Sequence, residues 1–123
     1  MTLQALRTSL QSAIASSSTY SVFDHVPENV TTPCIMIMTG DPWLEPAVMG
    51  NNKAWRVHYV LELAVSSMSN PGALVNLETM VATVLPLIPK TWQITNVSSP
   101  RIRQANTAEA YSVEVSINTI YNP

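Results

Sequence analysis

The sequence predicts an α+β domain, a mainly antiparallel β-sheet with two α-helices packed on one face. Three observations predict it. Two long segments carry apolar residues at alternate positions: Trp55, Val57, Tyr59, Leu61, Leu63 and Val65 within Lys53 to Ser66, and Tyr111, Val113, Val115, Ile117, Thr119 and Tyr121 within Glu109 to Tyr121. Successive side chains of a strand point to opposite faces, so each segment offers one apolar stripe for burial. Two other segments carry apolar residues at helical spacing. The order of elements is helix, strands, helix, strands, without the repeated strand–helix–strand rhythm of a parallel sheet.

Residues Thr2 to Ser17 place Leu3, Leu6, Leu10, Ala13 and Ile14 on one helical stripe, with Thr2 as N-cap and the serines at 16–18 ending the helix. Tyr20 to Val26 reads as a short strand stopped by Pro27. Pro33 introduces Cys34-Ile35-Met36-Ile37-Met38, a continuous apolar run that predicts a central strand covered on both faces. Gly40-Asp41-Pro42 is expected to turn the chain into a loop that runs to Asn52. The first long strand follows. Asn70-Pro71-Gly72 opens a second helix with Asn70 as N-cap, whose stripe is Leu74, Leu77, Met80, Val81, Val84 and Leu85 and which Pro86 and Pro89 stop. Strands at Trp92 to Val97, Arg101 to Gln104 and Glu109 to Tyr121 complete a single domain spanning 1–123.

Composition narrows the function. Charged residues make up 11% of the chain, under half of the usual ~25%. Uncharged polar side chains are less costly to desolvate against a partner than ions are. A balance of 6 Lys and Arg against 8 Asp and Glu provides no general attraction for nucleic acid or anionic membrane. Cys34 stands alone, which excludes an internal disulfide and a cysteine-rich zinc site, and its apolar neighbours predict a small buried hydrophobe. The N-terminus lacks a signal-peptide pattern and no apolar run nears the ~20 residues of a bilayer span, so the chain is expected in the cytoplasm where it is made.

Catalytic vocabulary is sparse. His25 and His58 fall on different elements, and no His-x-x-x-His or Cys-x-x-Cys pair accompanies them. Asp24-His25 beside many serines invites a nucleophile triad, yet no Gly-x-Ser-x-Gly elbow is present. Gly40, Gly50 and Gly72 assemble into no phosphate-cradling loop. Glu62 and Glu114 sit on the polar sides of two strands, where a carboxylate pair is usually only surface. The expectation is a protein that is not an enzyme and carries no cofactor or metal. Arg101 and Arg103, with Lys90 and Trp92 nearby, suggest either a weak nucleic-acid patch or salt bridges to Glu109 or Glu114, within the chain or across an interface.

The segment Asp41 to Asn52 is anomalous, because Trp43, Leu44, Val48 and Met49 occur where connections are normally polar. It either folds back over the core or docks on a neighbour, with Trp43 as the anchor. A strand of the length seen at Lys53 to Ser66 exceeds the usual ~5–6 residues, and the excess is expected to project or to pair with another chain.

The order of elements, with the phrase Pro33-Cys34-Ile35-Met36-Ile37-Met38-Thr39-Gly40-Asp41-Pro42, resembles the small tail-terminator and tail-completion proteins of long-tailed bacteriophages, the lambda-like group. The resemblance spans nearly the whole chain. It implies a structural virion protein forming a ring, commonly a hexamer, at the head-proximal end of the tail. Such a ring caps the tail-tube protein, halts tube polymerisation and joins tail to neck, while DNA passes through its lumen without specific binding. The family has no catalytic residue to carry over. The interface candidates in this chain are Trp43, Leu44, Val48 and Met49 in the apolar segment, and Arg56, His58 and Glu62 on the face expected to be exposed. Arg101 and Arg103 are further candidates for salt bridges between subunits. Two alternatives stay open: a neck or head-completion protein that docks to the capsid connector, and a small ligand-binding or enzymatic α+β domain using His58, Glu62 and Glu114.

Overall fold

A computed structural model describes residues 2–16, 20–25, 33–48, 51–66, 71–105 and 108–122. Helix α1 (Leu3–Ala15) begins where the Thr2 hydroxyl accepts from the Ala5 N–H at 3.0 Å, satisfying one of the donors left over at a helix start. Gln11 ties it to the sheet by donating from Nε2 to the Val22 carbonyl at 2.9 Å. The strands are β1 (Ser21–Phe23), β2 (Cys34–Val48), β3 (Asn51–Ser66), β4 (Gln93–Val97), β5 (Arg101–Ala105) and β6 (Ala108–Tyr121), and α2 (Pro71–Val84) runs on into a 3-10 turn at Leu85–Leu87. The fold is α+β. The sheet order is β1-β2-β3-β6-β4, with β5 also on β6; only the short β1–β2 pair is parallel.

The two long alternating segments pair with each other. Trp55 to Ser66 lies antiparallel to Tyr121 to Ala110 without a break in register, so the apolar stripes of both strands fall on the same face. Leu10 and Ile14 of α1 and Leu77, Met80 and Val84 of α2 meet that face, closing a core around Tyr59, Leu61, Leu63, Val115 and Ile117. Both helices therefore share one side of the sheet, as the sequence predicts. The two segments satisfy each other from Trp55 to Ser66, and the excess of the first, beyond Trp55, projects past β6 while paired only with β2. The burial of α2 also differs in detail. Ala73 is buried and Leu74 is 41% exposed, so the helix is rotated from the predicted stripe to bring Ala73, Leu77, Met80 and Val84 inward.

The face away from the helices is not uniformly polar. Cys34, Met36, Ala64 and Ala110 form a second buried cluster there, packed by Phe23. Small side chains in register across β2, β3 and β6 leave little room for solvent. Glu62, expected on an exposed polar face, is only 1% exposed, in register between Met36 and Glu114. Cys34 is buried and takes part in no disulfide.

The segment expected to be a loop is strand. β2 passes Gly40-Asp41-Pro42 through a bulge instead of turning: Thr39 pairs with Tyr59 and Leu44 with Val57, so residues 40–43 stand opposite His58 alone. The Asp41–Pro42 peptide is cis. Bulges bend a strand and reset its alternation. Here the three surplus residues swap its parity, so that even-numbered Leu44 joins odd-numbered Val57 against the core. Gly40 is required at this point, since a Cβ there would lie 2.8 Å from the His58 Cβ and 3.2 Å from the His58 carbonyl oxygen. The predicted N-cap Asn70 and strand end Val26 lie outside the described residues.

Candidate assembly surface

The bulge produces an arm. β1 covers the outer edge of β2 only through Met36, and β6 covers the far edge of β3 only to Trp55. Among the described residues, the outer edge of β2 from Ile37 to Val48 has no neighbouring strand. The stretch beyond Trp55, where Pro46 pairs with Trp55 and Val48 with Asn51, is a two-stranded ribbon.

Trp43 lies in the bulge and is 42% exposed, while Leu44 beside it packs against the core. Leu44 thus folds back over the core, while Trp43 one residue away stays exposed. Val48 is placed by its backbone at the position opposite Asn51, and Met49 lies outside the described residues. Pro42 and Pro46 offer no N–H to an incoming strand, so this edge is unsuited to continuous strand addition and presents side chains instead.

A polar clasp holds the root of the arm on the face away from the helices. His58 donates from Nε2 to Glu45 Oε1 at 2.6 Å, across the bulge. In the next row, Arg56 is in register with Glu45 and donates from Nη1 to Asn118 Oδ1 at 2.8 Å. Asn118 is buried, and a buried amide oxygen needs such a donor. Arg56 and His58 are half-buried and engaged within the chain.

The opposite edge of the sheet is also apolar. Every residue of β4 is exposed, with Ile94 and Val97 each 40% exposed, and Ile102 on β5 is 62% exposed. Ser98, between β4 and β5, is held to β6 by reciprocal bonds to Glu114, its amide donating to the Glu114 carbonyl at 2.8 Å and its hydroxyl accepting from the Glu114 N–H at 2.9 Å. Arg101 is ion-paired to the Glu114 carboxylate inside the chain. Arg103 is placed by its backbone opposite Ala110.

The carboxylates and histidine of the ligand-binding alternative do not converge. Glu62 and Glu114 are directly opposed and line a cavity of ≈ 510 Å³ with Met38, Arg101 and Ile102, but His58 is four residues along β3, about 13 Å away, and committed to Glu45. Among the described residues no cluster of three or more His, Cys, Asp or Glu side chains is arranged to hold a metal ion, and no helix is long and apolar enough to cross a membrane. In comparisons with known proteins, the sequence matches no family model and no curated protein.

Proposed function

We propose that this protein is a structural assembly subunit whose copies close into a ring, and that the ring is the terminator at the head-proximal end of a phage tail tube. The observation that carries the proposal is the exposed Trp43 on a strand edge that no other strand covers among the described residues. An exposed aromatic on a rigid bulge is the type of side chain that anchors interfaces. The reading is supported by a second, different apolar patch at the far edge of the same sheet, formed by Ile94, Val97 and Ile102. Contact between unlike patches on successive copies is heterologous, and repetition of such a contact around an axis closes a ring. The weakly charged composition supports it too, because few ions must be desolvated on association.

In this proposal the arm edge of one subunit meets the β4–β5 edge of the next. The ring caps the last layer of tail-tube protein and presents its other side to the neck, and DNA passes through the lumen without specific contacts. The test is the mass of the protein in solution together with negative-stain images, with and without purified tail tubes. Rings that bind tube ends and stop their growth are expected. A protein that stays monomeric at every concentration and with tubes present refutes the proposal. Rings that bind the capsid connector and ignore tubes place it in the neck instead.

A further inference from the structure

On the helix side of the sheet, a groove of ≈ 300 Å³ lies between α2 and the connection from β4 to β5. Leu77 and Val113, both buried, make its floor. Leu74 and Val81 of α2 form one wall, and Val97 and Pro100 form the other. The rotation of α2 that draws Ala73 inward turns Leu74 toward this groove. Leu74 and Val97 thus face each other across it while 41% and 40% exposed, and hydration of so much apolar surface favours an occupant.

The dimensions and chemistry of the groove select that occupant. Its volume stands at the bottom of the ~300–1,000 Å³ range of enclosing sites, which suits one bulky side chain better than a helix or an extended peptide. Among the described residues, Trp43 is the one aromatic among the exposed large apolar side chains. An indole N–H only donates, and the carboxylate of Glu78, which lines the groove and belongs to an exposed residue, only accepts. The match therefore extends to the single polar group of the ring. A chain cannot fill its own groove with Trp43, because β3 and β6 separate β2 from β4, a distance of three strand spacings or about 14 Å. A second copy has no such restriction.

We infer that Trp43 of one subunit inserts between Leu74 and Val97 of the next, with its indole N–H donating to the Glu78 carboxylate. The inference rests on the ring proposal and supplies the contact that repeats around it. A side chain on one edge of the sheet entering a groove at the other edge is a heterologous contact, the type that a rotation propagates.

Leu74→Glu blocks the groove with a charge. Leu74 is exposed and stands in the first turn of α2, where the helix dipole favours a carboxylate, so the variant is expected to fold, which circular dichroism checks. Val97→Glu blocks it from the other wall, on a strand whose residues are all exposed. Each is expected to weaken self-association by about 30-fold or more, as is Trp43→Ala. Glu78→Met keeps the apolar stem and removes the acceptor, for a weakening of roughly threefold to tenfold. The decisive measurement is the mass of an equimolar mixture of Trp43→Ala and Leu74→Glu. The first variant keeps an intact groove and the second an intact Trp43, so the mixture is expected to stop at heterodimers while each variant alone is monomeric. A mixture that stays monomeric overturns the inference. Both groove variants forming rings as readily as the wild type also overturns it, and leaves the ring proposal standing. Rings of these variants that no longer bind tail tubes give the groove to the tube protein instead. Unchanged association of Glu78→Met removes Glu78 from the contact. A wild-type protein that never associates, alone or with tubes, refutes the ring and the groove contact together.

Discussion

Replacing Trp43 and Trp92 by alanine, one at a time, separates the arm from the core. Trp92 is 7% exposed and packs at a tilt against Tyr59, so Trp92→Ala leaves a cavity and is expected to cost about 3–5 kcal/mol of folding stability. Trp43 is 42% exposed. It keeps roughly 100 Å² covered, worth at most about 2.5 kcal/mol, and nearer 1.5–2 kcal/mol against a compact unfolded chain. No cavity cost is added, because solvent enters the space. Denaturant unfolding monitored by circular dichroism gives both values from the shift in midpoint at constant slope. Association should rank the two variants the other way. Loss of an interface anchor costs about 2 kcal/mol or more per contact, roughly a 30-fold weakening, so Trp43→Ala should shift the ring to monomers in light scattering at concentrations where folded Trp92→Ala still assembles. Two results refute the reasoning. Trp43→Ala could prove as destabilising as Trp92→Ala, which would make Trp43 a core residue, or it could assemble like the wild type, which would remove it from the contact.

Gly40→Ala pushes a methyl group into the His58 backbone, and a stability loss of about 1–3 kcal/mol is expected, accompanied by changes in the NMR signals of Glu45 and His58 at the arm root. Thr2→Ala removes the α1 cap and should cost about 1 kcal/mol in a denaturant titration, with Thr2→Ser near neutral. Asp24 has its carboxyl lowered chiefly by the hydrogen bond from His25, with burial opposing and the charge of Arg7 adding to it. A lowered folded-state pKa stabilises the fold above the ordinary value of 3.8, and this contribution is lost as pH falls through the folded value. Asp24→Asn should therefore be slightly less stable than wild type at neutral pH, by well under 1 kcal/mol for so exposed a group, and the gap should close in strong acid. A gap that widens on acidification contradicts the assignment.

Much of the architecture was legible because local rules state it. Period-two alternation located β3 and β6, the apolar run after Pro33 located β2, and Thr2 marked the start of α1. The errors share a cause. Gly40-Asp41-Pro42 carries turn chemistry, and turn chemistry reports what the backbone can do at a residue, whereas the pairing of Leu44 with Val57 and Pro46 with Trp55 decided that the strand continues. Trp43 and Leu44 stood out as apolar residues in a polar context, yet their opposite fates depend on a parity change visible only in the register. Glu62 read as surface because its neighbours in sequence alternate, but its neighbours in space are Met36 and Glu114.

By itself, then, the sequence determined which segments are strands and helices and which face of each is apolar, because those properties depend on residues a few positions apart. The tertiary structure alone decided that the two long strands satisfy each other and that, among the described residues, an arm and two uncovered apolar edges remain. These depend on pairings between segments tens of residues apart, where many registers have similar local energies and only joint packing of the whole sheet on its helices selects one.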